Sequence, residues 1–260
     1  MSFVRRDRFL LLVLLIGCLF INPQQTSGTK RAPVSGYTVL QSINHDVTAY
    51  TQGLFVHEGI MYETTGQYGE SSLRKVDMKS GKVLQKVNFD SKYFVEGSCT
   101  LNGVIYILTW TQRVCFIYDL KSFKRLGQIP LRREGWGITT DGKELIMSDG
   151  SSKLYFTDPN TFIDKRVVNV TLNGRPISYI NELEYIDGKV WANIYTDNSI
   201  VVINPTDGVI ERVIDCSDIL PSALKSSRTD VFNGIAYDKA TNSIYVTGKY
   251  WPKMYKISIK

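Results

Sequence analysis

The chain has 260 residues, 43% of them hydrophobic and 22% charged, and a formal net charge of +6. This length suits a single all-β domain, and the composition excludes a disordered or fibrous protein. The basic residues are scattered without a long Lys/Arg run, which argues against a nucleic-acid partner. There are only two histidines and no His/Cys/carboxylate spacing of a zinc site, so we expect neither a metal nor another cofactor.

The N-terminus has the pattern of a secretory signal peptide. Three arginines precede thirteen mostly apolar residues, 9–21, whereas a membrane span needs roughly 20. We predict a signal peptide over 1–28, a linker over 29–35 and a single domain over 36–260. The domain would lie in the secretory pathway or outside the cell, with no stable membrane span. A retained signal anchor, which would hold a lumenal or periplasmic domain at the membrane, is the alternative.

Five similar stretches follow one another along the rest of the chain. Each opens a run of short strand-like segments, and the equivalent positions are Gly53, Gly97, Gly137, Glu182 and Gly234. Their spacings of 44, 40, 45 and 52 residues are typical of a β-propeller, in which each repeat forms one four-stranded blade. We therefore predict an all-β fold with five blades.

The last repeat lacks its outer strand. It stops after three strand-like segments, whereas a spare one, 37–43, precedes the first repeat. Pairing this N-terminal strand with the last repeat would complete blade five, close the ring and remove an exposed sheet edge. The long last spacing is explained by a loop-like insertion over 216–230.

Three cysteines remain once the predicted signal peptide is removed. They are Cys99, Cys115 and Cys216, an odd number that leaves at least one thiol outside any internal pair. Cys99 and Cys115 could pair, or all three could be small buried hydrophobes. The sequon at Asn169 makes the chain a candidate glycoprotein.

The innermost strand of each propeller blade lines the central axis, so the residue before each repeat position belongs to a ring at one channel mouth. That ring is mostly polar and contains one tryptophan, which suits a small polar ligand better than a purely structural ring. Its members are Gln52, Glu96, Trp136, Asn181 and Asn233.

The second strand of each blade runs back toward the same mouth. We expect its end to bring together Glu63, Trp110, Tyr195 and Lys249. A carboxylate beside aromatic rings is partly desolvated, which raises its pKa and suits acid/base chemistry. The alternative is a Glu63–Lys249 pair between blades that only helps to close the ring.

At these residues the chain resembles the plant-type glutaminyl-peptide cyclotransferases, a family of five-bladed propellers. The resemblance spans residues 50–253, nearly the whole predicted domain. It is carried by ordered strings at 50–54, 62–69, 71–77, 135–137, 148–150, 181–185, 190–193, 233–236 and 246–253.

The resemblance implies conversion of an N-terminal glutamine of peptides or proteins to pyroglutamate, with release of ammonia. It places the family's acid/base glutamate at Glu63 and its lysine at Lys249. The implied substrate-binding residues are Gln52, Trp110, Trp136, Asn181 and Asn233, with Tyr50 and Tyr195 as aromatic walls.

Tyr50 and Tyr195 depart from the family pattern, because the resemblance has Phe and Trp there. We expect a monomer that acts on peptides. The alternative function is a secreted propeller that binds peptides or proteins at the channel mouth without catalysis.

Overall fold

The computed structural model describes residues 31–260, and the predicted signal peptide, 1–28, lies outside the described residues. Within 31–260 the regular elements are strands, apart from one turn of 3₁₀ helix at Ser222–Leu224. The strands form five sheets of at least four strands each, in the order of the sequence repeats. The predicted five-bladed β-propeller is confirmed.

Within each blade the strands are given in order from the central axis to the outer edge. Blade 1 contains β3 (Thr51–His57), β4 (Ile60–Thr65), β5 (Ser72–Val76) and β6 (Val83–Asn88). Blade 2 contains β7 (Val95–Leu101), β8 (Val104–Thr109), β9 (Val114–Asp119) and β10 (Arg125–Pro130). Blade 3 contains β11 (Ile138–Thr140), β12 (Leu145–Met147), β13 (Lys153–Thr157) and β14 (Asp164–Asn169). A small hairpin, β15 (Thr171–Leu172) and β16 (Arg175–Pro176), follows it.

The last two blades include the N-terminal strands. Blade 4 contains β17 (Ile180–Ile186), β18 (Lys189–Ile194), β19 (Ser199–Ile203), β20 (Ile210–Asp215) and β1 (Val34–Ser35). Blade 5 contains β21 (Phe232–Asp238), β22 (Ser243–Gly248), β23 (Lys253–Ile259) and β2 (Tyr37–Asn44).

The turns between first and second strands explain why the sequence forms hairpins here. In three blades both turn residues have positive φ, the conformation of a type I′ turn, which matches the twist of the flanking strands. These turns are Glu58-Gly59, Asn102-Gly103 and Asp187-Gly188.

The N-terminal strand closes the ring as predicted. Strand β2 pairs antiparallel with β23, from Tyr37 opposite Ile259 to Asn44 opposite Lys253. Just before it, β1 pairs in parallel with β20 of blade 4. Residues 34–35 therefore belong to a sheet, and the expected linker over 29–35 was wrong at this end.

The core lies between the blades. Five hydrophobic clusters fill the five blade interfaces, and each combines strands from two neighbouring blades. The smallest cluster joins blade 5 to blade 1, where the ring closes, and contains Ile43, Leu54 and Met254. Buried polar side chains, among them His45, Glu63 and Arg74, lie in the same interface.

The repeat positions allow the inner strands to approach closely. A Cβ on Gly97 would lie 2.7 Å from the carbonyl oxygen of Trp136 in the next blade. Glu182 occupies this position in blade 4, and its carboxyl group crosses the axis. It accepts hydrogen bonds from the backbone N–H groups of Ile235 (2.9 Å) and Leu54 (3.3 Å). Glu182 thus links blade 4 to blades 5 and 1.

The three cysteines of the described region are free and buried. Cys99 lies on β7 and Cys115 on β9, with β8 between them. Two strand spacings amount to about 10 Å, beyond the Cα separation that a disulfide can bridge. Cys216 packs with Ile219 and Leu220 and anchors the start of the predicted insertion. Among residues 31–260 no helix is long and apolar enough to span a membrane.

Candidate active site

A cavity of about 340 Å³ opens at one mouth of the channel. Each lining residue comes from one of two places in a blade, which are the start of the innermost strand and the segment that follows the second strand. The lining residues are Tyr50, Gln52, Gln67, Phe94, Glu96, Trp110, Trp136, Asn181, Tyr195 and Lys249. Seven of the nine site residues expected from the sequence therefore meet here, and Glu63 and Asn233 are not among them.

Strand register explains which second-strand residues reach the cavity. The residue immediately after the second strand reaches the cavity in three blades: Trp110 after β8, Tyr195 after β18 and Lys249 after β22. In blade 1 the equivalent residue is Gly66, and a Cβ there would lie 2.5 Å from the Phe94 ring. Blade 1 therefore contributes no side chain from this position, although the next residue, Gln67, lines the cavity, and Phe94 takes the space beside Gly66.

Glu63 lies deeper in blade 1 than expected. It pairs with Leu54, so it is level with Ile107 and Val246, which are core residues in other blades. Its side chain is 1% exposed and does not line the cavity. The expectation that Glu63 lies at the mouth was wrong, because the residue of blade 1 at that level is Gly66, three residues further along the chain.

Glu63 instead takes part in a buried ionic cluster between blades 1 and 5. It accepts hydrogen bonds from Thr51 Oγ1 (2.7 Å) and His45 Nε2 (2.9 Å). Arg74 Nη1 lies 3.7 Å from Glu63 Oε2 and 3.0 Å from Asp46 Oδ2. Glu63 therefore pairs with His45 across the interface of blades 1 and 5, and not with Lys249 as the alternative interpretation expected.

The cluster holds a charged pair. Burial alone would raise the pKa of Glu63, but His45 and then Arg74 outweigh it and hold that pKa below its usual value. Burial would likewise lower the pKa of His45, but Glu63 raises it. His45 Nδ1 lies 2.7 Å from the carbonyl oxygen of Trp251, which can only accept. His45 therefore donates from both ring nitrogens as an imidazolium.

Glu96 is the carboxyl group at the cavity. It is 5% exposed and begins the inner strand of blade 2 next to Val95. Burial raises its pKa well above the usual value, Glu134 adds to the rise, and Lys249 opposes it. Burial thus favours the neutral form of this carboxyl group at the cavity wall. The sequence placed Glu96 in the ring, and that position was the signal for its role.

Lys249 is a second buried ionisable group of the cavity wall. It is 2% exposed, and burial lowers its pKa, although Glu96 and Asp230 act against this. Its Nζ lies 4.5 Å from the Tyr50 ring centre and 5.2 Å from that of Tyr195. Aromatic faces stabilise a cation at such distances, so the two tyrosines partly compensate for its desolvation.

Side-chain amides form the floor of the cavity. Asn181 Nδ2 donates to Asn233 Oδ1 (2.9 Å), and Asn233 Nδ2 donates to the carbonyl oxygen of Thr51 (3.0 Å). Asn233 is fully buried beneath the cavity, so it fixes Asn181 rather than contacting a ligand. Asn233, which was expected to bind substrate directly, does not line the cavity, whereas its hydrogen-bond partner Asn181 does.

Aromatic side chains form the walls. Trp110 Nε1 and Trp136 Nε1 both donate to Glu134 Oε2, at 2.9 and 3.2 Å. The Tyr195 ring meets Trp136 edge-on, with centroids 5.8 Å apart. Phe94, which the sequence analysis missed, packs edge-on against Trp110 at 5.6 Å. Its position two residues before Glu96 matches that of Tyr50 before Gln52, and this spacing could have identified it.

The arrangement can bind a small polar group with an apolar stem. A carboxyl group with a raised pKa, a lysine with a lowered pKa and amide groups converge on a cavity with aromatic walls. Within residues 31–260 no group of three or more His, Cys, Asp or Glu side chains is placed to hold a metal ion. The polar groups present are those of proton transfer and hydrogen bonding.

Comparisons with known proteins agree with this geometry. The chain is 38% identical to a glutaminyl-peptide cyclotransferase of Arabidopsis thaliana, over 99% of this chain and 86% of that protein. The crystal structure of Myxococcus xanthus glutaminyl cyclase superposes with a TM-score of 0.82 and 30% identity, covering 88% of this chain and 98% of that one. The family model described as glutamine cyclotransferase matches residues 10–259. The chain belongs to the glutamine cyclotransferase family.

Proposed function

We propose that this protein is a glutaminyl-peptide cyclotransferase and that Glu96 is its general acid and base. It converts an N-terminal glutamine to pyroglutamate and releases ammonia. The observation that carries the assignment of Glu96 is a buried carboxyl group with a raised pKa at the wall of an aromatic-lined cavity. Glu63, which the sequence favoured, is enclosed by His45 and Arg74 and has no access to that cavity.

The substrate contains its own nucleophile, so the reaction needs no catalytic Ser or Cys. The α-amine attacks the side-chain amide carbon, a ring N–C bond forms, and the bond to the departing ammonia breaks. Glu96 gives its proton to the leaving nitrogen and regains one from the attacking amine. Such transfer typically contributes about 10²–10⁴-fold to the rate. Holding the glutamine folded supplies up to roughly 7–11 kcal/mol more.

Lys249 and the amides have supporting roles. A cation beside the cavity disfavours protonation of the substrate's α-amine, and the neutral amine is the nucleophile. Gln52, Asn181 or Lys249 steadies the oxyanion that develops on the amide oxygen. Trp110 and Trp136 clasp the methylene stem and exclude water.

The test is ammonia release from a Gln-initiated peptide, with pyroglutamate identified by mass. The matched control is the same peptide with an acetylated N-terminus, which has the amide but no nucleophilic amine. We expect ammonia from the first peptide and none from the second, with the same rate in the presence of a chelator. Ammonia from the acetylated peptide would indicate hydrolysis and contradict cyclisation. Binding of the free peptide without ammonia release would favour the non-catalytic peptide-binding propeller instead.

We also propose that the protein enters the secretory pathway, by a cleaved signal peptide or as an anchored form, and is glycosylated at Asn169. The Asn169 side chain is exposed at the end of β14, which makes it accessible to modification. Endoglycosidase treatment of secreted protein should reduce its mass, and Thr171→Ala should abolish that change. An unchanged mass in the native protein would contradict glycosylation.

We propose that the active form is a monomer. The ten cavity-lining residues all belong to one chain, and the ring of blades closes within it. Size-exclusion chromatography with light scattering on active protein should give the mass of one chain. Activity confined to a dimer peak would contradict the proposal.

A further inference from the structure

We propose that Glu134 is a positioning residue that sets the two tryptophan walls of the cavity through a single carboxylate oxygen. The inference rests on the proposed function, because it assigns the walls to the glutamine stem. Glu134 Oε2 accepts from Trp110 Nε1 at 2.9 Å and from Trp136 Nε1 at 3.2 Å. The two indoles come from different blades: Trp110 follows β8 of blade 2, and Trp136 precedes β11 of blade 3. One oxygen therefore fixes their relative position across a blade boundary.

The backbone beside Glu134 is itself held in place. Gly135 N donates to the carbonyl oxygen of Thr109 at 3.1 Å, so this segment is bonded to the end of β8. A Cβ on Gly135 would lie 2.6 Å from the Cβ of Leu108, which leaves no room for a larger residue. Trp136 N donates to the carbonyl oxygen of Ser148 at 3.1 Å. The carboxylate therefore acts from a defined point and not from a mobile loop.

The hydrogen bonds also decide which part of each indole serves the cavity. Both N–H groups are used by Glu134, so the cavity is offered apolar ring surface rather than a donor. A free indole N–H there would compete for the glutamine amide and could bind it in an unproductive orientation. The neighbouring Arg133 pairs with Asp164, so its charge is engaged on blade 3.

The experiment compares Glu134→Ala with Glu134→Gln. The amide oxygen of Gln can accept from both indoles, whereas Ala removes the acceptor. We expect Glu134→Ala to raise KM for a Gln-initiated peptide by about tenfold, with a smaller fall in kcat, and Glu134→Gln to restore KM to within about threefold of wild type. The matched control is Glu144→Ala, a partly buried glutamate that pairs with Lys165 on blade 3, and its KM should equal that of wild type.

A readout independent of activity is the set of indole N–H signals in ¹⁵N NMR spectra. The chain has four tryptophans, and Glu134→Ala should move two of their indole signals, whereas Glu144→Ala should move none. Unmoved signals in Glu134→Ala would overturn the inference. A Gln variant with the KM of the Ala variant would also overturn it, because charge and not hydrogen bonding would then matter. If the wild-type protein releases no ammonia, the proposed function fails, and the NMR comparison still decides the role of Glu134.

Discussion

Glu63 and Glu96 are both buried, and their neighbours drive their pKa values in opposite directions. Glu63 is surrounded by His45 and Arg74, and these cations hold its pKa below the usual value despite burial. Burial and the negative charge of Glu134 raise the pKa of Glu96, whereas Lys249 lowers it. A raised pKa favours the protonated form, which can donate a proton, whereas a carboxylate paired with cations cannot. The surroundings of the two groups, rather than their residue type, therefore favour Glu96 for the proposed acid/base role.

The charge of Glu134 should be visible in the pH profile of kcat/KM. The rising limb reports the substrate's α-amine, which must lose its proton, and the falling limb reports Glu96, which must keep its proton. Lys249 and Glu134 are the charged groups that act on Glu96. Glu134→Gln removes the one that raises its pKa, so the falling limb should move to lower pH. A limb that stays in place, or moves to higher pH, in rate profiles of the two proteins would contradict this assignment.

The interface of blades 5 and 1 depends on the cluster of His45, Glu63 and Arg74. Glu63→Ala leaves the buried His45 without its carboxylate and Arg74 with Asp46 alone, and breaking a buried pair typically costs about 3–5 kcal/mol. We expect a loss of this order in the free energy of unfolding, measured by urea denaturation. Glu58→Ala, at an exposed turn, is the control and should change little. Equal stability of the Glu63→Ala and wild-type proteins would show that the cluster does not close the ring.

The same cluster predicts how stability depends on pH. The raised pKa of His45 contributes stability that is complete below its unfolded value of 6.5 and is lost as pH rises through its folded pKa. The lowered pKa of Glu63 contributes stability that is present above 4.5 and is lost as pH falls through its folded pKa. Stability from this pair should therefore be greatest between these folded-state values. His45→Gln should flatten the alkaline side of a urea-midpoint profile, and an unchanged profile would contradict the pair.

The elements show what the sequence could and could not predict. The repeat spacing was sufficient for five blades, and the missing outer strand was sufficient for closure by 37–43, because both follow from local strand patterns. Strand register was not predictable at the same precision. Strand β4 continues to Thr65, so Glu63 falls at a core level and Gly66 at the cavity level. His45, the partner of Glu63, follows the closing strand β2. The contact between His45 and Glu63 therefore depends on closure of the ring and not on local sequence.

At the scale of the whole molecule, one side chain near the central axis links three of the five blades. Glu182 stands where the other repeats have glycine, and its carboxyl group accepts from the backbone of blades 5 and 1. Burial and the nearby Glu184 raise its pKa well above the usual value, which favours its neutral form within the channel. The channel is therefore filled at this level by a hydrogen-bonded side chain from blade 4.

Glu182→Ala should destabilise the folded ring. It leaves the N–H groups of Leu54 and Ile235 buried without an acceptor, at about 1–3 kcal/mol for each. Glu182→Gln supplies one acceptor and one donor, so its free energy of unfolding should lie between those of wild type and the Ala variant. Urea denaturation of the three proteins gives this order directly. An Ala variant as stable as wild type would mean that the axial bonds contribute nothing net.

The measurement that tests the central claim most directly compares two isosteric substitutions, Glu96→Gln and Glu63→Gln, in the ammonia-release assay. The first replaces a carboxyl group of blade 2 and the second replaces one of blade 1, but only Glu96 lines the cavity. We predict that Glu96→Gln lowers kcat by about 10²–10⁴-fold without loss of the fold. Glu63→Gln should lower stability while folded protein keeps kcat within about threefold of wild type, because a group outside the cavity transfers no proton. A wild-type rate in Glu96→Gln, or an inactive but fully folded Glu63→Gln, would contradict the account.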